Sequence, residues 1–131
     1  MPAGAILRVG GSKKGVQSFL GTSSLKPHRV YLRGEPTSVG SKILARSNYF
    51  LVLASDAPES DFALQVKETS RFLERHMRDL KALRQHKLHA VIDFAVTDTR
   101  TQGSPALSWR LPLSLIQLLN QAAIDAELSL I

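Results

Sequence analysis

A chain of 131 residues, 44% apolar and 21% charged, has the length and balance for one globular domain with its own core. The absence of cysteine removes disulfides, thiolate catalysis and Cys-type zinc sites, and no apolar run reaches the roughly 18 residues that a membrane helix needs. The net charge of +6 is uneven: residues 1–54 carry eight basic residues (Arg8, Lys13, Lys14, Lys26, Arg29, Arg33, Lys42, Arg46) against Glu35, while residues 55–131 carry nine basic and ten acidic residues. Met1 to Gly11 holds one arginine and too short an apolar run for a signal peptide, so a reducing, cytoplasmic location is expected.

Ala5, Leu7 and Val9 alternate as on a strand, which Gly10 and Gly11 are expected to break. Ser12 can cap a short helix through Leu20, with Val16, Phe19 and Leu20 inward and Gly21 as a stop. Val30–Arg33 reads as a short strand, and Pro36–Lys42 as a polar loop. Arg46–Ala54 is strand-like and mostly apolar, as for a strand covered on both faces.

The segment from Phe62 to Lys87 has the longest helical period. Phe62, Val66, Thr69, Leu73, Met77, Leu80 and Leu83 fall three or four apart on one stripe, with charged residues on the rest of the surface. Ser55 or Asp56 can cap it, Pro58 suits a first turn, and Glu59 and Asp61 favour the positive end of the dipole. Phe72 lies off the stripe, so one broad-faced helix, a bend near His76 and two shorter helices all fit.

Leu88–Val96 and Ala106–Leu111 alternate as strands, and Pro112 opens a helix to about Ala123. Ala126, Leu128 and Leu130 alternate in a last strand. The order β-α-β-β-α-β-β-α-β predicts a single α+β domain over residues 1–131, with a mixed or antiparallel sheet packed against the long helix and two shorter ones. Leu73, Leu80, Ile92, Phe94, Leu118 and Leu128 are expected to share the core. Ile6–Arg33 and Leu107–Ile131 each read strand, short helix, strand, which two pseudo-equivalent halves or chance would equally produce.

Several stretches resemble the DUF4279 type of uncharacterised bacterial domain. They are Leu7-Arg8-Val9-Gly10, Phe19-Leu20-Gly21, Arg33-Gly34-Glu35-Pro36 and Leu111-Pro112-Leu113-Ser114, together with the long helical middle. The chain departs from that pattern at Lys13-Lys14, where acidic residues are usual, and at Tyr49-Phe50, where a tryptophan is usual. The resemblance implies a small α+β domain and supplies no reaction and no catalytic residues.

Reaction chemistry is thin. Gly10-Gly11-Ser12-Lys13-Lys14-Gly15 sits where a phosphate loop would, but Val16 and Gln17 stand where its Lys and Ser/Thr belong. His86, His89 and Asp93 are spaced for a metal or acid–base pair, yet two histidines without a third ligand are a weak signal. No nucleophile is paired with a base, so no enzyme, catalytic residue, metal or cofactor is expected.

What remains is binding. Lys26, Arg29, Tyr31, Arg33, Lys42 and Arg46 surround one strand–loop–strand region, with Arg29, Tyr31 and Arg33 alternating on one strand. They are the candidate partner-binding residues. The expected partner is an acidic protein surface, as for an inhibitor or immunity protein acting on a bacterial toxin or effector. The competing expectation is nucleic acid, and no membrane role is expected.

Overall fold

The computed structural model describes residues 4–97 and 109–131, and the fold is α+β. Five strands form one mixed sheet in the order β2-β3-β1-β4-β5: β1 (Ala5–Gly11), β2 (Arg29–Tyr31), β3 (Asn48–Ser55), β4 (His89–Val96) and β5 (Asp125–Leu130). Three helices accompany them: α1 (Lys13–Thr22), α2 (Phe62–Lys81) and α3 (Leu113–Ala122). β1 is the middle strand, antiparallel to both β3 and β4, and β5 lies parallel to β4 at the edge.

Strand alternation decides which side of the sheet is dry. Leu7 stands between Val52 and Ile92, and Val9 between Phe50 and Ala90, so these side chains share one face. All of them are buried, in one cluster with Val16 and Phe19 of α1, Val66, Leu73 and Leu80 of α2, and Leu115 and Leu119 of α3. The helices therefore cover a single face.

The α2 stripe faces this core: Val66, Thr69, Leu73 and Leu80 are buried, while Phe62, Phe72 and Met77 are partly buried against it. The helix passes from Lys81 directly into a 3-10 turn over Ala82–His86, which ends at Lys87 with φ 57°. One helix with a tightened end thus replaces the alternatives of a mid-helix bend or two helices. Its cap is Asp61, whose side chain accepts from the Leu64 N–H, rather than Ser55 or Asp56. Ser55 belongs to β3, where its hydroxyl donates to Glu68 at 2.7 Å.

Other expectations need correction. β1 does not break at Gly10 and runs on through Gly11, because both glycines pair with β3. Gly15 is a packing residue: a Cβ there would lie 2.7 Å from the His86 carbonyl, so only glycine lets α1 sit against the 3-10 turn. β3 is not covered on both faces, since Leu53 is exposed and Leu51 only half-buried. Leu128 is not a core residue. It pairs with Phe94 from the outermost strand, beyond the reach of the helices, and is 39% exposed. Leu118 is partly buried against the core. Of the strand expected at Ala106–Leu111, residues 106–108 lie outside the described residues, and Trp109–Leu111 form no strand, so five strands are described rather than six.

A buried polar cluster lies under the first turns of α2. The Gln65 amide donates to the carbonyls of Pro58 (3.0 Å) and Ala95 (2.7 Å), tying the helix start to β4. Among the described residues, Gln65 Oε1 and Thr69 Oγ1 have no protein partner.

Two expectations follow for urea unfolding. Leu73→Ala or Leu80→Ala should lower stability by about 2–5 kcal/mol, whereas Leu128→Ala should cost less than about 1 kcal/mol. Thr69→Val should raise stability by about 1 kcal/mol, because it removes a buried hydroxyl without a protein partner at nearly constant shape.

Candidate functional site

The long connection between β2 and β3 is a projecting arm. The pairs Arg29–Leu51, Val30–Phe50 and Tyr31–Tyr49 continue in the same register into an isolated Pro36–Leu44 bridge. Gly34 N–H donates to Ala45 O at 3.0 Å, Ala45 N–H to Glu35 O at 2.8 Å, and Thr37 N–H to Ile43 O at 2.9 Å. The sequence supports this at both turns. Leu32–Glu35 and Ser38–Ser41 are closed by backbone hydrogen bonds, and their third residues, Gly34 and Gly40, have φ of 86° and 77°. That conformation at the third turn position is open to glycine with little strain. The stretch expected as a polar loop is thus an extension of the β2–β3 hairpin.

The arm displays apolar side chains. Val39 at its tip is fully exposed, and Ile43 and Leu44 are 71% and 52% exposed. Lys42 and Arg46 stand exposed on its returning side, and Arg33 at its base. Arg33 N–H donates to Asn48 Oδ1 at 2.8 Å, which anchors the base to the start of β3.

Below the arm lies the uncovered face of the sheet. Arg29 and Tyr31 pair with Leu51 and Tyr49, so the four share that face. The Tyr31 and Tyr49 rings stack with centroids 4.6 Å apart, and Arg29 Nη1 donates to Tyr31 Oη at 3.1 Å. This contact with Tyr31 holds the Arg29 guanidinium above its ordinary range. Next to the pair, Arg8, Gly10, Asn48, Tyr49 and His89 line a shallow depression of about 370 Å³. Gly10 forms part of its floor, where a Cβ would sit in ordinary contact with His89 Nε2 at 3.5 Å and Tyr49 at 3.6 Å. Further across, the charge reverses: Arg8 is paired with Glu127 at 3.1 Å, and Asp93 accepts from Ser129 Oγ at 2.7 Å.

The structure therefore brings together five of the six candidate binding residues: Arg29, Tyr31, Arg33, Lys42 and Arg46 sit on the arm or at its root. Lys26 does not join them. It precedes β2 and lines a separate cleft under α2 with Arg71 and Arg75. Val39, Ile43 and Leu44 escaped the sequence reading, although an Ile-Leu pair inside a Gly/Ser-rich stretch is the signal that could have found them. The residues weighed for metal binding are divided: the His86 ring stands edge-on to Phe19 at 5.7 Å, while His89 and Asp93 are on the uncovered face of β4. Among the described residues no helix is long and apolar enough to cross a membrane.

Neither a protein-family model, nor a curated protein, nor a solved structure matches this chain.

His76 provides a pH test of the α2 packing. Burial pushes its pKa below the ordinary value, helped by Arg75 and opposed by Asp79. Its neutral form is thus favoured in the folded chain. As pH falls below about 6.5, the unfolded chain takes up this proton first, so its contribution to stability is lost on acidification. The loss in melting temperature between pH 7.5 and pH 5.5 should be smaller in His76→Gln than in the parent chain.

Proposed function

We propose that this chain is a non-enzymatic protein-binding domain that engages an acidic protein surface with the β2–β3 arm and the sheet face at its root. The observation that carries this reading is the exposed apolar set Val39, Ile43 and Leu44, held on a hydrogen-bonded arm and rimmed by Arg33, Lys42 and Arg46. An apolar centre with a charged rim is the anatomy of a protein interface, and stacked tyrosines beside arginine are what energetic anchors are made of. By analogy with other small domains, an α+β domain of this kind suits an inhibitor or immunity protein that blocks a toxin or another effector.

A second reading has its own support. Tyr31 and Tyr49 beside Arg29, next to the depression lined by Arg8 and His89, offer a stacking surface for the bases of a single strand. The charge reversal at Glu127 and Asp93, and the apolar tip of the arm, favour protein over a long phosphate track.

The triple variant Arg29→Glu, Arg33→Glu, Arg46→Glu, compared with the parent chain as bait in source-cell extract, separates these readings. It should lose the acidic protein that the parent retains, with a melting temperature within a few degrees of the parent's, because all three residues are exposed. Val39→Asp with Ile43→Asp should lose it too. Unchanged retention by the triple variant would sink the proposal. Nucleic-acid binding would show instead as a steep salt dependence, with a log–log slope near 0.9 per phosphate neutralised on duplex and about 0.7 on a single strand.

A further inference from the structure

The outer edge of β3 is only half covered. β2 pairs with Tyr49–Leu51 and stops there. Pro27 lies just before it and has no N–H to offer a ladder, so the chain leaves the sheet at this point. It turns toward α2, where the Ser24 hydroxyl and backbone N–H both donate to the Asp79 carboxylate. Among the described residues, no strand lies against Val52–Ser55 on that side. In front of this bare edge is a cleft of about 560 Å³, walled by Ser24–Lys26 and by the Glu68–His76 stretch of α2.

The cleft has a direction. At the Ser55 end stands Glu68, bonded to the Ser55 hydroxyl, with Asp56 beside it. Arg71 follows one helical turn along, and Arg75 two turns along toward the segment that carries Lys26. Lys26, Arg71 and Arg75 are exposed, and no ion pair engages them among the described residues. From Glu68 to Arg75 the helix rises about 10 Å, the length of three residues of extended chain. A one-residue irregularity in the β1–β3 register at Ala54 lies within this edge and keeps the regular pairing it offers short.

We propose that an extended acidic segment of another protein docks here as a short added strand, pairing its backbone with the free edge of β3 and placing its carboxylates against Arg71, Arg75 and Lys26. Main-chain pairing supplies the attachment and the row of cations the selectivity, the usual division of labour when a sheet edge receives a peptide. The Glu68 and Asp56 end sets the polarity, since it repels acidic side chains and leaves them to the other end. This site is separate from the arm and does not depend on the reading given for it.

The test is an NMR titration of the isotopically labelled full chain with blocked synthetic hexapeptides. One alternates threonine and valine around two glutamates, one replaces the glutamates by lysines, and one keeps the glutamates but has proline at alternate positions. The acidic peptide should shift the amides of Leu53, Ala54 and Ser55 and those around Arg71 and Arg75. The lysine and proline peptides should not. Arg71→Glu with Arg75→Glu should weaken the acidic peptide roughly tenfold and admit the lysine peptide. The proposal is overturned if all three peptides act alike, if the shifts fall on the arm, or if none appear at millimolar peptide. It is equally overturned if the same amides shift with protein concentration alone, which would make a second copy of the chain the occupant.

Discussion

Everything in this fold depends on burying one face of the sheet. Ala5, Leu7 and Val9 of the middle strand are wholly inaccessible, and the inward residues of β3 and β4 flank them under α1, α2 and α3. Since the helices lie on one side, the other side must be tolerable in water. Tyrosine, arginine, histidine and acidic residues alternate there with half-buried aliphatics. Function can use that face because stability does not need it: a change at Arg29 or Tyr49 leaves the cluster under α2 untouched, whereas a change at Leu73 does not. The arm takes this separation further, since hydrogen bonds between its own residues hold it beyond its base and Val39, Ile43 and Leu44 lie outside the core cluster.

The periodic elements were legible in the sequence. The stripe from Val66 to Leu83 and the alternation of β1 and β4 follow the periods of helix and strand, and the order of elements led to an α+β sheet with helices on one side. What could not be read is what periodicity does not encode. The apolar run Tyr49–Leu53 looks like a strand covered twice, but cover is a property of the neighbours, and Leu51 and Leu53 have none on their side. The alternation of Ala126, Leu128 and Leu130 is that of a core strand, yet its outermost place exposes it. Local chemistry was ambiguous at the start of α2, where three acceptors compete and Asp61 wins because Ser55 is already held in β3.

The basic segment shows the same division. Charge and alternation found Arg29, Tyr31, Arg33, Lys42 and Arg46, which meet on the arm and at its root. They also drew in Lys26, which the exit of the chain at Pro27 sends elsewhere. Composition made Pro36–Lys42 a loop, and in doing so hid a hairpin whose register is set from β2 and β3 below it. The apolar residues that give the arm its point were masked by the glycines and serines that let it turn.

The middle position of β1 has a kinetic side. Leu7 finds its partners at Val52 and Ile92, far along the chain, so the central strand has no local pairing to hold it. Two long loops must close before the sheet exists, and each closure costs entropy before any contact returns it. The α2 segment, whose contacts between neighbouring turns are local, is free to form first and to serve as the surface on which the strands collect. Folding of this chain is thereby set to the slower pace of proteins built on distant pairings, with β1 as the strand that waits.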